Sequence, residues 1–143
     1  MKNLLLFLIL FIPVSAFSQV SNIVGSWKTI DEKTGEAGSV VRIYKESNGK
    51  YYGKVEKIFK NPDSKCVNCK DANKDKPILG MVIITDMNEK GGKLEGGYIL
   101  DPTEGKKYHA TISYEKDSGK LKLRGSLDKM GVLGRNQIWE KEK

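Results

Sequence analysis

Gly25-Ser26-Trp27 and Leu133-Gly134-Arg135-Asn136-Gln137-Ile138-Trp139 are the two stretches on which the fold turns. Each reads as a short strand, one at the start of the strand-rich part of the chain and one at its end. A sheet leaves no unpaired edge only when its first and last strands meet, so these two strands are expected to pair and close a barrel. Gly25 lets the backbone enter tightly, and Trp27 is large enough to plug one end. Arg135 is expected to lay its guanidinium across the Trp27 indole, a contact worth roughly 0.5–2 kcal/mol depending on desolvation.

Between these ends, short apolar or alternating runs recur at intervals of about ten residues, each followed by a turn signal, which favours a barrel or sandwich over helices. The clearest is Lys120 to Leu127: Leu121, Leu123, Gly125 and Leu127 fall on one face, and Lys120, Lys122, Arg124 and Ser126 on the other. Tyr108, Ala110, Ile112 and Tyr114 alternate in the same way within Lys107 to Glu115, with His109 on the opposite face. Asn48-Gly49, between the runs Ser39 to Glu46 and Lys50 to Phe59, is a tight-hairpin signal because both residues tolerate positive φ. Gly96-Gly97, inside Lys93 to Leu100, marks a bulge or sharp bend. Ile78 to Met87 is apolar on both faces, so its outer side is expected to be covered, with a second copy of the chain as one candidate cover. Counting Trp27 to Ile30 and the final run, there are eight strands. They are mostly joined by short turns. The expectation is an all-β, eight-stranded antiparallel up-and-down barrel with one irregular loop at about 60–77, crossing a mouth or a face. Such a barrel is either packed with side chains or holds one small ligand.

Residues 1–18 read as a cleaved export signal: Lys2 gives a positive start, Leu4 to Val14 is apolar but too short to span a bilayer, and Ala16-Phe17-Ser18 supplies small residues at the cleavage spacing. Residues 19–143 then form a single barrel domain, exported to the periplasm or the medium. The formal charge of +7 becomes +6 on loss of Lys2, the only charged residue of that segment. The cations are mainly lysines spread along loops and outward strand positions. A nucleic-acid reader gathers them on one face, so nucleic acid is not expected as a partner and a weak contact with an anionic membrane surface is.

Four linked motifs run in order along the chain: Lys74-Asp75-Lys76-Pro77-Ile78-Leu79-Gly80; Gly97-Tyr98-Ile99-Leu100-Asp101-Pro102 with Gly105-Lys106 and Tyr108; Leu123-Arg124-Gly125; and Leu133-Gly134-Arg135 with Gln137 and Trp139. With Gly25, Trp27, Cys66 and Cys69 they resemble the bacterial envelope family called domain of unknown function 2147. The resemblance covers nearly all of residues 19–143. It implies a small exported protein with a lipocalin-like barrel and brings no assigned activity.

Cys66-Val67-Asn68-Cys69 is open to three chemistries. A zinc half-site needs two more ligands, and His109 is the lone histidine. A redox pair should open a helix that lowers a thiol pKa, yet Lys70 to Pro77 has no apolar stripe to dock one. A structural disulfide pinning the long loop is the expected state. Asp101-Pro102-Thr103-Glu104-Gly105 looks acidic but has the composition of a turn. No catalytic constellation, metal site or cofactor is expected. The expected function is non-catalytic binding of a small apolar or amphipathic molecule, with Arg135, Trp27, Tyr98, Tyr108, Tyr51 and Trp139 as candidate ligand contacts. The rival is a filled barrel that serves as a structural or protein-interaction module.

Overall fold

The computed structural model describes residues 19–143; the expected export signal, 1–18, lies outside them. Eight antiparallel strands form a closed barrel in simple sequence order, β1 (Gly25–Ile30), β2 (Ala37–Lys45), β3 (Tyr51–Ile58), β4 (Val82–Lys90), β5 (Lys93–Asp101), β6 (Lys106–Glu115), β7 (Lys120–Ser126) and β8 (Gly134–Lys141). Closure is made by β1 against β8, with Trp27 opposite Lys141 and Thr29 opposite Trp139. Among the described residues no helix is long and apolar enough to cross a membrane.

An up-and-down barrel puts alternate connections at opposite ends, and here the two ends differ. At one end the turns are short, and a single helical turn, α1 (Val20–Ile23), packs across the opening with Val20 and Ile23 buried. Val20 and Ile23 are three residues apart, the spacing that puts both on one helix face. The Trp27 indole N–H donates to the Ile23 carbonyl at 2.7 Å, which ties the plug to the first strand. Trp27, Ile43, Met87, Leu94, Ile112 and Leu121 are fully buried beneath it. Each contributes roughly 1.5–3 kcal/mol, so this end is the stable core.

The cation over the Trp27 ring is Lys141, with Nζ 4.8 Å from the ring centroid, not the expected Arg135. The strand register explains the difference. Lys141 is the residue opposite Trp27, and Arg135 lies six residues away along β8, about 20 Å at the rise of a strand. Gly25, at φ 134°, leaves room for that lysine: a Cβ there would sit 2.5 Å from Lys141 Nζ.

The run expected from Ile78 begins later, at Val82, because Ile78-Leu79-Gly80 makes a turn. Gly80 sits at φ 86° and donates its N–H to the Val55 carbonyl at 2.8 Å. Nor does β4 present an apolar outer face. Its register against β3 shifts between the Gly53–Ile84 and Lys54–Val82 pairs, and Asp86 takes a positive φ of 56°. These two irregularities leave Ile83, Ile84 and Met87 all buried and Asp86 exposed. Ile84 also fills the space beside Gly53, where an added Cβ would meet it at 2.7 Å. In β5 the glycine pair makes the anticipated irregularity, with Gly96 at φ 77° and a register shift between Leu94 and Gly97.

Cys66 and Cys69 are joined in a disulfide within the long β3–β4 connection, and both are buried. The connection lies on the β5–β6 turn. Asn68 Nδ2 donates to the Thr103 carbonyl at 2.8 Å, and Cys66 Sγ lies 3.2 Å from the Pro102 carbonyl oxygen. Gly105, at φ 70°, is a close-approach point, since a Cβ there would lie 1.9 Å from the Asn68 carbonyl oxygen.

Candidate ligand cavity

The end opposite α1 is hollow. A cavity of about 1040 Å³ opens there, so the barrel is filled in one half and empty in the other. Its floor is Val55, Leu123 and Trp139, which are also the upper surface of the packed core. Ile58, Ile78, Ile83 and Ile99 line its wall. The rim is made by the β1–β2, β3–β4, β5–β6 and β7–β8 connections, which contribute Asp31, Lys60, Ser64, Thr103, Glu104, Val132 and Leu133. The lining mixes these apolar side chains with polar ones, Thr29, Ser39 and Gln137 among them, as small-molecule sites combine an apolar surface with polar groups that orient a ligand, and this volume is at the upper end of the usual range of about 300–1000 Å³.

Of the six candidate contacts, Arg135, Tyr108 and Trp139 line the cavity. The β7–β8 register places Arg135, Gln137 and Trp139 opposite Gly125, Leu123 and Leu121, the inward residues of β7. Arg135 is exposed at the rim, Gln137 is half-buried below it and Trp139 is buried. Trp139 Nε1 donates to Gln137 Oε1 at 3.2 Å, which fixes the floor. Trp27, Tyr51 and Tyr98 lie elsewhere. Trp27 is in the plugged end, where Tyr114 packs edge-on at 6.4 Å. Tyr51 is buried on the far side of the core with its hydroxyl 3.5 Å from Glu89 Oε2, and burial raises its pKa. Tyr98 points outward against His109, with ring centroids 5.1 Å apart, because the irregularity before Gly97 sets the parity of β5 so that Ile99 faces in. Gln137 is not among the six sequence candidates, although the two-residue spacing Arg135, Gln137, Trp139 marks it.

The charges at the mouth differ in how far their bonding is already used. Asp31 accepts the N–H groups of Lys33 at 2.8 Å and Thr34 at 2.9 Å, which hold its pKa down. Asp101 accepts those of Thr103 at 2.9 Å and Glu104 at 3.2 Å. These are the ordinary duties of aspartate in turns. Lys60 pairs with Glu36 at 2.7 Å. Glu104 Oε2 accepts the Tyr108 hydroxyl at 3.1 Å. Burial, then Glu104, pushes the Tyr108 pKa up while Arg135 pulls against them, so the phenol stays neutral at physiological pH. Among the described residues Arg135 makes neither a hydrogen bond nor a salt bridge. It is the cation of the mouth whose five donors are free.

The same barrel is found in protein HP1028 from the human pathogen Helicobacter pylori, described as belonging to the lipocalin family. The TM-score is 0.72 at 22% identity, covering 84% of this chain and 82% of that one. At that identity the likeness is one of fold. Among curated proteins none matches the chain in sequence. The profile of a bacterial family described as "Uncharacterized protein conserved in bacteria (DUF2147)" matches residues 25–141, from the first residue of β1 to the last of β8. With the match running the length of the barrel, the chain belongs to the DUF2147 family.

Proposed function

We propose that this protein is an exported, non-catalytic carrier of a small amphipathic anion in the bacterial cell envelope. The observation that carries the reading is the half-hollow barrel: a chamber of about 1040 Å³ with the unpaired Arg135 at its mouth. An acyl or comparable apolar body fits against Val55, Ile83, Leu123 and Trp139, and its carboxylate or phosphate meets the guanidinium, whose planar fork suits either group. The lipocalin-family neighbour supports the reading at the level of fold. The aspartates of the rim are committed to turn amides, which speaks for binding over acid–base chemistry. The closed disulfide supports an oxidising compartment. The choice between periplasm and medium is decided by fractionating the host.

The test is a titration with dansylated undecanoate, a fluorescent amphipathic anion, on wild type, Arg135→Gln and Arg135→Glu. A hydrogen bond to a charged group is worth about 1.5–3 kcal/mol, so Arg135→Gln is expected to weaken binding roughly ten- to hundred-fold and Arg135→Glu to weaken it further, both with unchanged melting. Wild type that does not bind the probe, or an Arg135→Glu variant that binds it equally well, contradicts the reading.

A further inference from the structure

The four most exposed large apolar side chains among the described residues all belong to the β7–β8 connection: Leu127 at 68%, Met130 at 88%, Val132 at 74% and Leu133 at 67%. Apolar side chains on a loop are often turned inward by packing. Here the backbone beneath them is bonded to its own neighbours instead. Leu127 N–H donates to the Leu133 carbonyl at 3.0 Å, and Gly131 N–H to the Asp128 carbonyl at 3.2 Å. The Asp128 carboxylate accepts the N–H groups of Val132 at 2.9 Å and Leu133 at 2.6 Å. Arg124 donates from Nε to the Gly131 carbonyl at 2.7 Å and from Nη2 to the Val132 carbonyl at 3.3 Å. The loop thus holds its shape through its own bonds at Leu127, Gly131, Val132 and Leu133, and not by packing these apolar side chains inward.

We propose that this lip docks the protein on an anionic lipid surface, with Met130 and Val132 entering the headgroup–acyl boundary. Two features favour lipid over other occupants. Arg124, Lys129 and Arg135 flank the apolar tips against the single acid Asp128, whose carboxylate is already engaged, so the segment is net cationic. A second copy docked through the same lip would bring these cations toward their own duplicates. The lip is also continuous with the cavity, since Leu127, Val132 and Leu133 line its mouth, so docking would set the opening against the bilayer. The barrel wall is unsuited to such contact, because β2 and β3 carry exposed Arg42, Lys54 and Glu56 on their outer face. Docking does not require the cavity to be a binding site.

The test is co-sedimentation of the chain lacking residues 1–18 with phosphatidylglycerol vesicles and with phosphatidylcholine vesicles. Binding is expected to be reversible, salt-sensitive and selective for phosphatidylglycerol, with a partition constant on the order of 10⁴ M⁻¹, comparable to a single acyl anchor. M130D/V132D is expected to weaken it on the order of ten-fold or more with unchanged melting. K93Q/K116Q, which removes the same net charge at the plugged end, is expected to weaken it by less than about three-fold. Met130→Cys carrying an environment-sensitive dye should shift to the blue on phosphatidylglycerol. Absence of binding, equal loss in the two variants, or a dye that stays in water overturns the proposal. Because dansylated undecanoate is titrated without vesicles, failure here leaves the cavity reading standing, and failure there leaves this one standing.

Discussion

Removing Trp27 should cost the protein a large part of its stability, whereas removing Arg135 should cost almost none. Trp27 is fully buried, caps the core, donates to the Ile23 carbonyl at 2.7 Å and lies beneath Lys141 at 4.8 Å. Truncating a buried tryptophan to alanine costs about 3–5 kcal/mol. The change also frees α1 from its anchor, so the upper part of that range is expected. A chain of this size is stable by roughly 6–19 kcal/mol, from about 0.05–0.15 kcal/mol per residue. Trp27→Ala therefore removes between a fifth and most of the total, and its melting point should fall by roughly 10–20 °C. Trp27→Phe keeps most of the ring and loses the N–H bond, so about 1–2 kcal/mol is expected. Arg135→Ala, at an exposed rim position with no bonded partner, should stay within about 0.5 kcal/mol of wild type. The assay is urea unfolding followed by far-ultraviolet circular dichroism with the disulfide closed. Equal losses for Trp27→Ala and Arg135→Ala would refute the division into a packed end and an open end. So would a Trp27→Ala loss below about 1 kcal/mol.

Opening the Cys66–Cys69 disulfide should have a modest effect on global stability. The chain-entropy relation gives about 2 kcal/mol for so short a loop, to be read as the difference between urea midpoints of the wild type and Cys66→Ser/Cys69→Ser. Gly105→Ala should undock the β3–β4 connection, because its Cβ would lie 1.9 Å from the Asn68 carbonyl oxygen at a φ of 70°. Hydrogen exchange should then rise in residues 60–77 while β6 and β7 stay protected; unchanged exchange there would contradict the close approach. The lip should loosen in acid. The Val132 and Leu133 amides hold the Asp128 pKa below the ordinary aspartate value, so the carboxylate's contribution is complete above the unfolded-state value of about 4 and is lost as pH falls through the lower folded-state value. The amide resonances of Val132 and Leu133 should move together in that acid window, and in Asp128→Asn that coupled movement should be absent.

Most of the fold is legible in residue order because a barrel wall obeys a period of two. Leu121, Leu123 and Gly125 on β7, with Ala110, Ile112 and Tyr114 on β6, give the inward face directly, and short turns leave little choice of neighbour. The misreadings fall where an irregularity breaks that period. Tyr98 reads as a candidate ligand contact, but the shift between Leu94 and Gly97 turns it out. Ile78 to Met87 looks apolar on both faces because the shift at Val82–Ile84 and the positive φ of Asp86 are invisible in composition. Arg135 is the sequence's candidate partner for Trp27 because both lie on the closing strands. Which end of β8 meets which end of β1 depends on register, and Lys141 is the residue that register selects. Whether the barrel is hollow was not legible at all. That depends on how far side chains such as Ile84 beside Gly53, and Tyr108 and Ile99 beside Gly125, fill the interior, a question of volume rather than pattern.

The most direct measurement is native mass spectrometry of the protein purified from its own host, repeated after denaturation. An added mass of a few hundred daltons is expected, released on unfolding as an amphipathic anion and absent from Arg135→Glu. A bare chain mass that no amphipathic anion shifts would contradict the carrier reading.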